Sequence, residues 1–142
     1  QAMILTDKEK MILTPTYHVF NMYKPFQDAT SIAIDLKKVP TYKLGKASVP
    51  SVSATAARAK DGKVYIALVN ANPNAAETVD ISLAGVTVNG VKGQVLTAPE
   101  MDSHNTFAEP EKVKPAPFEA KANAGKLAIE IPAKGVIVVA VE

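Results

Sequence analysis

From Val52 onward the apolar residues come in short runs separated by turn signals, and this punctuation restricts the chain to a β architecture more than any other feature does. "KVYIALVN" (Lys63 to Asn70) follows an Asp61-Gly62 turn and is apolar on both faces, which predicts a central strand. "TVDISLA" (Thr78 to Ala84) alternates, with Val79, Ile81 and Leu83 inward and Asp80 and Ser82 outward. Asn89-Gly90 reads as a turn between "VTV" and "VKGQVL". "LAIEI" (Leu127 to Ile131) alternates again, and "GVIVVAV" (Gly135 to Val141) is a continuous buried run. Short strands with frequent turn signals predict a mainly β fold, an antiparallel β-sandwich or barrel.

The N-terminal part has a different grain. Gln1 to Leu5 reads as the last turn of an apolar helix that stops at Thr6-Asp7. Met11-Ile12-Leu13 reads as a short, fully buried strand of the kind found in parallel sheets. Thr14 is a candidate N-cap, Pro15 a candidate first helical residue, and Tyr17, Phe20 and Tyr23 follow at helical spacing until Lys24-Pro25. Strand, cap and helix make half of a βα unit, whose strand needs parallel neighbours that these residues do not supply. Where those neighbours are absent, the expectation is that the strand pairs with a second copy or a partner chain and that the helix packs its Tyr17 and Phe20 face onto the sandwich. Between the two parts, Gln27 to Pro50 is mixed in character, and "SIAIDL" within it is a candidate strand. Thr97 to Gly125 holds four prolines and little periodicity, so it reads as a long loop docked on something, with Phe107 buried against the sandwich or the barrel side and with Asn105 and Thr106 bonded to backbone.

Composition excludes several function classes. A net charge of +2, scattered lysines and Arg58 as the sole arginine give no footprint for nucleic acid. No apolar run approaches the roughly 20 residues that span a bilayer, so no membrane partner is expected. The opening "QAMILTDKEK" lacks the pattern of a signal peptide. With no cysteine the chain has neither disulfides nor thiolate metal sites, and its compartment stays open.

The candidate chemistry is sparse. A retaining glycosidase needs two carboxyls about 5–5.5 Å apart and an inverting one about 6.5–9.5 Å. The isolated acids Asp28, Asp35, Glu77, Asp80, Glu119 and Glu130 fall at turns or outward strand positions, so they read as surface residues. Asp102 and His104 in "EMDSHNTF" place an acid and an imidazole close together, yet without a third donor a capped turn is the better reading than a metal site. His18 reads as a packed helix residue. No Ser-His-Asp set, phosphate loop or zinc spacing is found, so no cofactor or metal is expected. The chain has eight aromatic residues and no tryptophan, a poor supply for a sugar-stacking platform.

Two longer strings are more specific. "ILTPTYHVFNMYKPFQDAT" (Ile12 to Thr30) and "GQVLTAPEMDSHNTFAEPEKVKPAPF" (Gly93 to Phe118) resemble the C-terminal part of α-L-arabinofuranosidases of glycoside hydrolase family 51. "QAMILTD" and "LVNANP" (Leu68 to Pro73) extend the resemblance over nearly the whole chain. It implies a (β/α)8 barrel followed by a jelly-roll domain. Residues 1–26 would be the end of the barrel: the last helix turn at Gln1 to Leu5, the eighth strand at Met11 to Leu13 and the eighth helix at Thr16 to Tyr23. Residues 27–50 would be a linker with the first sandwich strand, and 51–142 the C-terminal sandwich. The family's acid/base and nucleophile glutamates lie on earlier strands, upstream of Gln1, so this chain holds no catalytic residue and is expected to be inactive alone. Thr14, at the end of the last strand, would stand on the rim of the sugar pocket. Some relatives carry a glutamine there that reaches the arabinose, so sugar contact and helix capping both remain as readings of Thr14. The parent would be a retaining, exo-acting hydrolase of arabinose-containing plant glycans, its barrel being the partner of this domain, and a homo-oligomer is among the expected assemblies. An autonomous carbohydrate-binding module and a purely structural or oligomer-forming sandwich remain the alternatives.

Overall fold

The two continuous apolar runs become neighbouring inner strands, because only strands buried on both faces need apolar residues at every position. The computed structural model describes residues 2–85, 88–123 and 126–142. A hairpin of β1 (Ile4–Asp7) and β2 (Lys10–Leu13) leads into the helix α1 (Pro15–Met22) and a 3-10 turn at Lys24–Phe26. Then follow β3 (Thr30–Ile32), β4 (Thr41–Leu44), β5 (Ala47–Pro50), β6 (Val52–Arg58), β7 (Val64–Asn70), β8 (Glu77–Ile81), β9 (Gly90–Leu96), β10 (Ala116–Lys121), β11 (Leu127–Ile131) and β12 (Val136–Val141). The main sheet has the order β10-β9-β12-β7-β6-β3, and every pairing in it is antiparallel.

The pairing sorts side chains by face. Across β12 and β7, Ile137 stands opposite Leu68 and Val139 opposite Ile66, while Val138 stands opposite Ala67 on the other side. Ile66, Leu68, Val91, Ile137 and Val139 pack on Leu127, Ile129 and Ile131 of the β8–β11 pair, and this is the sandwich core. Ala67, Leu96 and Val138 pack on Met22 and Val113, with Val19, Tyr23 and Phe26 around them. So α1 covers the outer face of the sheet. Each aliphatic side chain fully buried in this way contributes about 1.5–3 kcal/mol. A Cβ on Gly93 would run into the Val138 carbonyl, and Phe118 lies directly across from it on β10, packed on the core. An aromatic ring beside a strand glycine restores the cover that the missing side chain leaves open.

The strands expected at 63–70, 127–131 and 135–141 are present, as are the inward Val79, Ile81 and Leu83. The Asp61-Gly62 turn is built from the acid itself: its carboxylate accepts from the Lys63 amide at 2.9 Å and from the Tyr65 hydroxyl at 3.0 Å, with Gly62 at φ +82°.

Several expectations are corrected. Ala2 to Leu5 is no helix turn, since Ile4 and Leu5 belong to β1; Gln1 lies outside the described residues. Met11 to Leu13 has no parallel neighbour among the described residues. It pairs antiparallel with β1, Ile4 opposite Leu13, and Met11 is 63% exposed. "TDKEK" closes a hairpin, with Lys8 at φ +53° supplying the left-handed turn residue. The strand therefore satisfies one edge within the chain, and its other edge has no strand partner among the described residues. On α1 the covered face is Val19 and Met22, while Phe20 stays 64% exposed. Gly90 opens β9, and Asn89 is no hairpin turn: its amide donates to the Glu142 carbonyl and its carbonyl accepts from Ala122. The "VTV" strand falls mostly on Val86 and Thr87, outside the described residues. The 97–125 stretch contains β10, so its irregular part ends at Pro115. The mixed 27–50 segment contains the edge strand β3, within the "SIAIDL" candidate, and also the β4–β5 hairpin.

Candidate functional site

Strand β2 runs into α1 at Thr14, and the polar bonds of the chain's N-terminal part converge there. Thr14 has extended backbone angles (φ −88°, ψ 164°), and its hydroxyl accepts from the Tyr17 amide at 3.4 Å. Pro15 occupies the first turn, where its missing N–H leaves nothing unpaired. The same hydroxyl lies 2.9 Å from the Ala2 carbonyl and 3.1 Å from that of Met3, and the Thr14 amide donates to Met3 at 3.0 Å. Thr14 is buried, and each of its polar groups facing this junction is engaged.

The loop after β9 closes on the same point. Asn105 is 3% exposed. Its Nδ2 donates to the carbonyls of Leu13 and Val113, both at 2.9 Å, and its Oδ1 accepts from the Val113 amide at 2.7 Å. Thr106 Oγ1 accepts from the Glu109 amide at 3.1 Å. Asn105 and Thr106 are thus bonded to backbone, as the sequence led us to expect. Within this domain Phe107 is 38% exposed, so the sandwich does not bury it.

The remaining candidates resolve into surface chemistry. His104 Nδ1 lies 2.8 Å from the Asp102 carbonyl, a local turn bond, and no cluster of three metal-ligating side chains occurs among the described residues. His18 meets Tyr17 edge-on at 5.7 Å; burial lowers its pKa and nearby Glu111 partly opposes the shift. Asp28 pairs with Lys60 at 2.9 Å, Asp35 with Lys37 at 3.2 Å and Glu119 with Lys92 at 2.8 Å, all exposed. The hydrogen bond from Lys92 lowers the Glu119 pKa, which is the wrong direction for a general acid. Glu77 faces Asn72 at 3.4 Å, and Asp80 and Glu130 point outward from the β8–β11 pair. A shallow groove between the end of α1 and the sheet, lined by Asn21, Met22, Lys24, Tyr65, Lys92 and Gln94, contains no carboxylate. Among the described residues no helix is long and apolar enough to cross a membrane.

A mainly antiparallel sandwich, preceded by a strand–cap–helix unit that is bonded to the loop after β9, defines a β-sandwich domain. The chain belongs to the α-L-arabinofuranosidase C-terminal domain family, whose model matches residues 1–134. It is 43% identical over 138 residues to an intracellular exo-α-L-arabinofuranosidase of Bacteroides ovatus, covering 96% of this chain and 27% of that protein. The structure superposes on the GH51 arabinofuranosidase from Xanthomonas axonopodis pv. citri with a TM-score of 0.95 and 44% identity, over 100% of this chain and 29% of that one. The thermostable GH51 α-L-arabinofuranosidase of Thermotoga petrophila matches with a TM-score of 0.80 at 25% identity, over 98% of this chain and 31% of that one. The chain thus spans about three tenths of the length of these relatives.

Proposed function

We propose that this domain is the C-terminal sandwich of a retaining, exo-acting α-L-arabinofuranosidase that releases terminal arabinose from plant polysaccharides and oligosaccharides. The observation that carries this reading is the family match together with 43% identity to an exo-α-L-arabinofuranosidase over almost the whole chain. The two glutamates that act as nucleophile and acid/base would stand on the remaining seven tenths of the protein, in a barrel.

The N-terminal segment supports a barrel as the partner. Met3, Ile4, Leu5, Met11 and Phe20 are exposed on the hairpin and α1, and Phe107 and Met101 on the loop bonded to Leu13. Large apolar side chains left uncovered on one segment favour a protein partner. In this reading residues 1–26 belong with the barrel and Leu13-Thr14 reach its sugar-binding rim. Thr14 acts there as a cap whose hydroxyl is committed to backbone, and sugar would meet it only through neighbouring atoms.

The test is hydrolysis of an aryl α-L-arabinofuranoside by the full-length protein and by residues 1–142 alone. Turnover by the full-length protein and none by the domain is expected. Turnover by the domain that a point change within it abolishes would overturn the reading, as would an inactive full-length protein.

A further inference from the structure

We infer that Asn105 is a positioning residue for the arabinose pocket: it holds the end of β2 in place from the sandwich side. The inference rests on the reading above, in which Leu13 and Thr14 reach the rim of that pocket. Asn105 is buried, and its amide makes three bonds, to the Leu13 carbonyl, the Val113 carbonyl and the Val113 amide. Both of its N–H groups and its oxygen are used, and two carbonyls facing one side fix which end of the amide is nitrogen.

Leu13 is 92 residues away in sequence and is the last residue of β2. Its carbonyl lies at the point where the hairpin ladder stops, so a partner must come from elsewhere. Asn105 supplies it. The next residue, Thr14, is fixed by the Ala2 and Met3 carbonyls and by the Tyr17 amide. Two consecutive residues are therefore held by side-chain bonds, one from the sandwich loop and one from the hairpin.

The loop is itself anchored. Val113 is buried with Ala67 and Val138 of the main sheet and Met22 of α1. A continuous route of packing and hydrogen bonds thus runs from the sheet through Val113 and Asn105 to Leu13 and Thr14. Reacting groups misplaced by about 1 Å lose on the order of a hundredfold in rate, so a loosened rim is expected to change sugar binding as well as turnover.

The experiment compares Asn105→Asp and Thr106→Ala in the full-length protein, with an aryl α-L-arabinofuranoside as substrate. Asn105→Asp keeps the shape and the acceptor but loses both donors. Thr106→Ala removes a bond inside the same loop without touching Leu13. For Asn105→Asp we expect kcat/KM to fall at least tenfold with KM raised several-fold, and for Thr106→Ala both constants to stay within twofold. A merely structural role would lower kcat in proportion to the folded fraction and leave KM alone, and that result overturns the inference. In the Asn105→Asp variant, protonation of the introduced carboxylate restores one O–H donor. The KM defect relative to the unsubstituted protein should therefore shrink as pH falls, and a defect constant with pH also overturns the inference. An inactive unsubstituted protein would overturn the functional reading and this inference with it, whereas an active one with a normal Asn105→Asp variant overturns this inference alone.

Discussion

The sandwich and the N-terminal hairpin use the same kinds of side chain in opposite ways. Ile131, Ile137 and Leu127 are almost wholly buried between the main sheet and the β8–β11 pair, whereas Met3, Ile4, Leu5 and Met11 of the hairpin region stay open to solvent. Both regions are hydrogen-bonded and regular. The difference is in what covers them: the sandwich supplies its own second layer, whereas on the hairpin Ile12 is buried and Thr14 and Asn105 bond to its ends, leaving the other large apolar side chains open. Burial inside this chain therefore measures self-sufficiency, and on the proposed reading the exposed hairpin is the side that meets the barrel.

The largest expected contrast comes from truncating one residue in each region. In the isolated domain Ile137→Ala should cost about 2–5 kcal/mol in a denaturant titration, as fully buried aliphatics do, while Met11→Ala should stay within about 0.5 kcal/mol. A Met11 loss as large as that at Ile137 would break the comparison. Asn105→Ala ranks next. It strands two carbonyls and an amide, and buried unsatisfied groups cost about 1–3 kcal/mol each; relaxation of the loop toward water brings the expected loss to the lower part of that sum. Thr14→Ala should remove about 1 kcal/mol, the usual worth of a threonine N-cap, and helical signal below the transition checks it. Phe107→Ala in the isolated domain should cost less than half of the about 3–5 kcal/mol typical of a buried phenylalanine, and more in the full-length protein if the barrel covers the ring.

The smallest effect is one of pH. Burial holds the His18 imidazole below the ordinary histidine value of about 6.5 in the folded state, so the unfolded chain binds the proton more readily. Its contribution is fully present above about 6.5 and is lost as pH falls through the depressed folded value. Melting temperature should therefore drop slightly on acidification past that range, and His18→Gln should flatten the slope there.

The sandwich was legible because its strands are buried on one or both faces, and period-two patterning reports that directly. Leu127 to Ile131 and Val136 to Val141 could be read residue by residue. The Thr14-Pro15 cap was equally plain, since its chemistry is local. What was hidden depends on distant partners or on turns without glycine. Gln1 to Leu5 reads as a helix end, and the hairpin that follows is hidden, because Lys8, rather than glycine or asparagine, takes its positive φ. Ala116 to Lys121 carries Pro117 and faces solvent at alternate positions, so its edge-strand character surfaced only once β9 lay beside it. For Asn105 the string "SHNTF" suggested a backbone-bonded turn, but nothing local could name Leu13 as the acceptor.

The claim that the N-terminal segment is a docking face can be tested most directly by amide hydrogen exchange on residues 1–142 alone and on the full-length protein. Amides of Ile4 to Leu13 and of α1 should exchange markedly faster in the isolated domain, while those of β7, β11 and β12 keep the same protection in both. Equal protection of the hairpin in the two forms would mean that nothing covers it in the full-length protein, and would contradict the account.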